Sequence, residues 1–295
     1  MTTVDMRPRR SALFLPASNP KALANARELA ADVVILDLED AVAPEAKEAA
    51  RVAAVAAVHA GGWGRRELVI RVNSLDSPWG AADLAAVSAA GPDAVLVPKV
   101  NDCDGLLAYN AALASAPAAM RLWTMIETCA VVPELDRLAA LATSTRLAAF
   151  VLGTNDLAKD MRARLKPGRA PFLPVLTATV CAARARGLVV LDGVCNEFRD
   201  LAALTHEAEQ GLEFGFDGKS LIHPDQIEPC NAVFSPSAAE LEKARAIVAA
   251  FADPEHASKG AIRLEGAMVE LLHLAQARRT IAIAEVIFGV QPQAR

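Results

Sequence analysis

Arg121-Leu-Trp-Thr-Met-Ile-Glu-Thr128 is an apolar run that stops on a carboxylate. Leu122 to Ile126 are long or β-branched, the pattern of a strand covered on both faces, as strands in a parallel sheet are. Glu127 then stands at its carboxyl end. About one helix later, Leu147-Ala-Ala-Phe-Val-Leu-Gly-Thr-Asn-Asp156 has the same form and also ends on an acid. Neighbouring parallel strands bring their carboxyl ends to one edge, so the two acids are expected side by side, where like charges repel unless a cation lies between them. The expectation is a hard divalent metal held by Glu127 and Asp156.

Working outward from this pair, strand-like runs recur with helix-like segments between them. Ala12–Pro16, Val33–Leu38, Leu68–Asn73, Ala94–Lys99, Leu122–Glu127, Ala148–Gly153, Leu188–Asp192 and Phe214–Ile222 make eight. Eight such units in about 225 residues is the size of a (β/α)₈ TIM barrel. Asn19-Pro20 offers a cap and a first-turn proline for a helix through Ala31, and a helix opened by Pro44 runs to His59 before Gly61-Gly62. Asp102–Ala116, Pro133–Thr143, Pro171–Arg186 and Glu197–Gln210 fill further gaps. A doubly wound open sheet is the competing fold, but eight units without a glycine-rich phosphate fingerprint favour the barrel. The barrel domain is assigned to residues 1–234 and a helical C-terminal extension to 235–295. In that extension Ser235 or Ser237 caps a helix through Phe251, Ser237 forming a capping box with Glu240, and Met268–Phe288 reads as a long final helix.

Composition narrows the function classes. The chain of 295 residues is 53% hydrophobic, enough for a large core, and its net charge of -5 comes from interspersed acids and bases. No nucleic-acid binding is expected from such a surface. Five cysteines without C-x-x-C spacing argue against a disulfide framework or a zinc site. No apolar run approaches the ~20 residues of a membrane-spanning helix, and Met1 to Arg10 lacks the apolar core of a signal peptide. A cytoplasmic protein without membrane partners is expected.

The strand ends carry the chemistry, since a barrel of this type presents its reactive groups there. In order they read Asp37-Leu-Glu-Asp40, Arg71-Val-Asn73, Pro98-Lys99, Glu127-Thr128, Asn155-Asp156, Asp192 and His223-Pro224. This order, with Asp-Leu-Glu-Asp-Ala-Val at 37–42, Ile-Glu-Thr at 126–128, Gly-x-x-Asp-Leu at 153–157 and Gly-Phe-Asp-Gly-Lys-x-x-Ile-His-Pro at 215–224, resembles the citrate lyase β-subunit family. That family includes the stand-alone malyl-CoA and citramalyl-CoA lyases and lies within the HpcH/HpaI aldolase superfamily. The similarity runs from about Arg10 to Phe234.

The resemblance implies a Mg²⁺-dependent lyase that splits a 3-hydroxyacyl-CoA thioester into a 2-oxo acid and an acyl-CoA. It assigns Glu127 and Asp156 as metal ligands, Glu39 and Asp40 as acceptors for metal-bound waters, and Arg71 as the cation facing the substrate oxygen. Asn19 and Lys21 fall where coenzyme A is held. It also implies a homotrimer in which the tail closes over a neighbour's site, with an acid–base aspartate in a Gly-x-Met-[Val/Ile]-Asp motif. This chain reads Gly266-Ala-Met-Val-Glu270, making Glu270 the counterpart. The extra methylene moves the carboxylate by ~1.5 Å, which matters where reacting atoms need near-contact placement. Ala17, Asn155 and Leu271-Leu272-His273 are further departures from the family pattern. Two rival activities stand beside the lyase: malate-synthase-like or acyl-CoA thioesterase action, and a citrate lyase complex subunit working on an acyl-carrier-protein thioester.

Overall fold

A computed structural model describes residues 7–256, 259–264 and 266–289. Eight parallel strands close into a barrel: β1 Ser11–Pro16, β2 Val33–Asp37, β3 Glu67–Arg71, β4 Ala94–Val97, β5 Arg121–Ile126, β6 Leu147–Leu152, β7 Val189–Asp192 and β8 Gly218–Leu221. The last strand returns to the first, Ser11–Leu13 lying against Lys219–Leu221.

Because side chains alternate across a strand, each stave builds two layers. Ala12, Val33, Ile35, Val69, Leu96, Trp123, Met125, Val151 and Leu191 form one buried cluster, the barrel interior. Their neighbours Leu13, Val34, Leu36, Ile70, Val95, Leu122, Phe150, Leu152 and Val190 belong to a second, larger cluster beneath the helices. The continuous apolar runs in the sequence are the sum of these two layers. At the amino-terminal end, buried Arg9 pairs with Glu67 and lies 5.6 Å from the centre of the Trp123 ring, which closes the interior from below. The opposite end carries the polar residues.

Several boundaries differ from the sequence reading. Helix Pro20–Ala26 is capped by the Asn19 side chain, which accepts from the Ala22 N–H at 3.1 Å, but it stops five residues before Ala31. Strand β8 is much shorter than Phe214–Ile222, because Phe214 ends helix Leu201–Phe214 and Gly215, at φ 94°, turns the chain out of it. Among the described residues, three helices were not among those expected, Ile227–Val233 being one. Gly80–Ala90 opens on Trp79 with no capping side chain, so its start carries no sequence signal, and Thr154–Met161 takes Asp156 into its first turn.

Between β7, β8 and helix Leu201–Phe214 lies a buried charge cluster. Lys219, fully buried, meets Asp192 at 3.2 Å and Glu207 at 3.1 Å, and Arg169 Nη1 donates to both Asp192 oxygens at 2.7 and 2.8 Å. Burial opposes the Asp192 charge, but Lys219 and Arg169 outweigh it and hold the carboxyl below its ordinary range.

Arg9–Phe234 form one compact unit, and the chain from Ser235 onward belongs to a second. In the second, Ser237 and Glu240 form the expected capping box on helix Ala238–Ala252. The expected helix Met268–Phe288 is corrected. Ala261–Leu264 and Ala267–Glu270 pair as an antiparallel hairpin, β9 and β10, and the helix runs from Leu271 to Phe288. Met268 is exposed and Val269 buried, a strand's alternation, and Val269 joins Ala244, Ile247, Ile262, Leu274 and Ala277 in a small separate core.

Lys219→Met should destabilise the protein by about 3–5 kcal/mol, since it removes the buried cation shared by Asp192 and Glu207 and leaves Arg169 alone to meet Asp192. A guanidinium chloride midpoint equal to wild type would contradict this account of the cluster.

Candidate active site at the carboxyl-terminal mouth of the barrel

Arg71, the last residue of β3, is fixed by Asp37, the last residue of β2. Arg71 Nε and Nη2 donate to the two Asp37 oxygens at 2.7 and 2.6 Å, a two-pronged pair that sets the guanidinium plane. Asp37 also accepts the backbone N–H groups of Glu39 at 2.9 Å and Ala41 at 3.0 Å, so one carboxylate orders both the arginine and the turn after β2. The remaining Arg71 nitrogen, Nη1, lies 2.9 Å from Glu39 Oε2 and 3.7 Å from Asp40 Oδ2. The Glu39 contact lacks hydrogen-bond alignment, leaving Oε2 buried without a hydrogen-bonded partner. Burial works against the Arg71 charge, yet Asp37 and Glu39 overcome it and raise its pKa. Arg71 is thus held in a two-pronged ion pair with Asp37, with Nη1 turned toward the Glu39 and Asp40 carboxylates.

On the facing side, Glu127 and Asp156 converge. Lys99 Nζ lies 2.7 Å from Asp156 Oδ1 and 3.4 Å from Glu127 Oε1, so a single cation bridges the two acids. The Lys99 backbone, at φ 54°, is in the left-handed region, and its N–H donates to Glu127 Oε1 at 2.8 Å. Glu127 Oε2 is buried with no hydrogen-bond partner. Burial raises the Glu127 pKa above its ordinary value, and Lys99 only partly offsets this. Burial likewise pushes Glu39 up to about 8 despite Arg71, with Glu127 and Asp40 adding to the rise.

The place Glu127 occupies exists only because residue 153 is glycine. A Cβ on Gly153 would stand 2.5 Å from Glu127 Cβ and 2.6 Å from its Oε2. Asp37 and Lys99 stand among the polar strand ends read from the sequence, and Gly153 opens the Gly-x-x-Asp-Leu stretch, but the sequence reading gave none of the three a place among the site residues.

The donor set suits a hard cation. Glu127 Oε1 and Asp156 Oδ1 meet at one point, the second Glu127 oxygen is buried without a hydrogen-bond partner, and Glu39 is near enough to feel the Glu127 charge. Among the described residues, no group of three or more His, Cys, Asp or Glu side chains could hold a metal ion. Two carboxylates suffice only for an ion that completes its shell with water or substrate oxygens, which is how Mg²⁺ binds.

The other sequence candidates make contacts of their own. Asn19 spends its side-chain oxygen on capping a helix, with Lys21 exposed in the first turn of that helix, after β1. Glu270 belongs to the second compact unit. It caps helix Leu271–Phe288, and its N–H donates to His273 Nδ1 at 2.9 Å. His223 caps the turn after β8, accepting from the Asp225 N–H at 3.2 Å, and stacks on Phe198 at 5.1 Å.

Comparison with known proteins identifies the family and agrees with the barrel. The family model for HpcH/HpaI aldolase/citrate lyase matches residues 10–224. A (3S)-malyl-CoA thioesterase of Cereibacter sphaeroides is 45% identical over 280 residues, covering 95% of this chain and 96% of the relative. The citrate lyase subunit beta of Escherichia coli K12 is 31% identical over 287 residues, covering 95% and 94%. Among solved structures, CitE from Mycobacterium tuberculosis in complex with magnesium, acetoacetate and coenzyme A superimposes with a TM-score of 0.76 at 28% identity, covering 95% of this chain and 99% of that one. With the barrel, the ordered strand-end residues and these similarities in agreement, the chain belongs to the HpcH/HpaI aldolase/citrate lyase family.

Proposed function

We propose that this protein is a Mg²⁺-dependent enzyme acting on a 3-hydroxyacyl-CoA thioester of the malyl class. The observation that carries the reading is the convergence of Glu127 Oε1 and Asp156 Oδ1 on one point, together with a second Glu127 oxygen that is buried and unpartnered. Glu127 and Asp156 would hold the ion, and Glu39 and Asp40 would accept hydrogen bonds from its waters. When bound, Mg²⁺ supplies Lewis acidity and a grip on the carboxylate and hydroxyl oxygens of the acyl group. Arg71, held in plane by Asp37, offers fixed positive charge to an oxygen that becomes negative during the reaction. Asn19 and Lys21 are assigned to coenzyme A, and Glu270 to proton transfer at a neighbouring subunit's site in a homotrimer.

Two reactions begin from the same bound thioester. Breaking the C–C bond yields glyoxylate and acetyl-CoA, whereas attack of water on the thioester carbonyl yields malate and free CoA. The family resemblance puts C–C cleavage first. The relatives at 42–45% identity are named (3S)-malyl-CoA thioesterase, and those named citrate lyase subunit beta stand at 30–32%. That difference favours hydrolysis as the net reaction of this chain, with C–C cleavage as the second reading.

Incubating the purified protein with malyl-CoA and Mg²⁺ should release free thiol and malate. Accumulation of glyoxylate and acetyl-CoA instead would establish the lyase, and neither product would end the proposal. Chelation with EDTA should abolish turnover, with recovery on adding Mg²⁺. Glu127→Gln and Asp156→Asn should each lower kcat/KM by about 10³-fold or more with an unchanged melting temperature; near-normal rates would remove the metal assignment. Gly153→Ala should weaken Mn²⁺ binding, followed by electron paramagnetic resonance, by at least about tenfold because the new methyl displaces Glu127. Wild-type affinity in that variant would show that the close approach is immaterial.

A further inference from the structure

Lys47 is a buried cation that the proposed chemistry does not use. Its side chain is 6% exposed, and among the described residues no carboxylate pairs with it. Its Nζ instead donates to two backbone carbonyls, Leu38 O at 2.9 Å and Glu39 O at 2.7 Å, and lies 5.4 Å from the centre of the Trp79 ring. Lys47 also opens helix Lys47–Ala60, directly after the turn Pro44–Ala46. That is the end of a helix where the backbone dipole disfavours positive charge.

Three costs therefore fall on one side chain: desolvation, the absence of a counter-ion, and the wrong end of a helix. An apolar residue of the same length would avoid all of them, and replacing buried charge by packed hydrophobic groups is often neutral or stabilising. What Lys47 does supply is a clamp. The two carbonyls it holds belong to the turn that carries Glu39 and Asp40, and Asn73 Nδ2 donates to Leu38 O from the other side at 2.8 Å. Asp37 fixes the N–H groups of the same turn. With N–H groups and carbonyls both held, the turn has one conformation, the one that sets Glu39 Oε2 2.9 Å from Arg71 Nη1.

We infer that Lys47 is a positioning residue, which fixes the turn after β2 and through it holds Glu39 and Asp40 against Arg71 and toward the metal waters. The inference rests on the roles proposed above for those three residues. Its lever is geometric. A donor that binds two consecutive carbonyls points both peptide planes at one spot, and a neutral side chain such as methionine fills the same volume without doing so.

The test compares wild type with Lys47→Met and Lys47→Arg in three measurements: melting temperature, Mn²⁺ affinity without substrate, and kcat and KM with malyl-CoA. Lys47→Met should melt at or above the wild-type temperature yet bind Mn²⁺ about tenfold more weakly and lose about tenfold or more in kcat. Lys47→Arg, which keeps a charged donor, should recover most of both. Methionine with wild-type metal affinity and kcat would overturn the inference, as would arginine no better than methionine. If Lys47→Met does not fold, Lys47→Leu, which also lacks a donor, is measured in its place; wild-type Mn²⁺ affinity in that protein overturns the inference equally. A wild-type protein that neither binds Mn²⁺ nor turns over the thioester would defeat the functional proposal itself, and Lys47 with it. Normal wild type beside an unaffected variant defeats the Lys47 inference alone.

Discussion

The mouth of this barrel is governed by a surplus of negative charge in a confined, poorly solvated place. Asp37, Glu39 and Glu127 are all buried, and Asp156 stands beside them, while Arg71 and Lys99 are the cations that meet them. Asp37 and Arg71 neutralise each other through a two-pronged pair, so the unresolved part of the balance is Glu39, Glu127 and Asp156 against one lysine. Burial raises the pKa values of Glu39 and Glu127 and the neighbouring carboxylates add to the rise, so confined negative charge is the physical reason the site suits a divalent cation. The rest of the barrel serves to keep these groups from moving apart.

It does so with backbone more than with side chains. Glu127 is pressed against a glycine, anchored by a left-handed Lys99 N–H, and carried on a strand whose inner and outer neighbours are fully buried. The turn after β2 is gripped at its N–H groups by Asp37 and at its carbonyls by Lys47 and Asn73. Preorganisation of this kind matters for electrostatic catalysis, because groups already in place need no reorganisation as charge develops.

Much of this was legible in the sequence, and the limits have physical causes. Strand runs stand out because both faces of a barrel stave are apolar, and residues at their ends could be read as a polar rim. Glu127 and Asp156 were paired from spacing alone. Gly153 and Lys47 were silent, since one acts by lacking an atom and the other by reaching nine residues back to carbonyls that any sequence possesses. The hairpin Ala261–Glu270 was hidden for a different reason. Met268 and Val269 lie next to a strong helix former, and two-residue alternation over four positions is too short to compete with an alanine- and leucine-rich run. Helix Gly80–Ala90 escaped notice because alanine on every face leaves no stripe.

The seam between β8 and β1 has a consequence for how the chain is made. Ser11 pairs with Lys219, and a Cβ on Gly218 would lie only 1.9 Å from the carbonyl oxygen of Arg9, so the two staves meet with no room for a side chain. Contacts this distant in sequence form slowly. On the ribosome, β1 emerges some two hundred residues before its partner and keeps one unpaired, apolar border until β8 arrives. Such borders are templates for wrong pairing, so a barrel closed by its first and last staves leaves that border open until the final stave is made, and closes it at a joint with no room for a side chain.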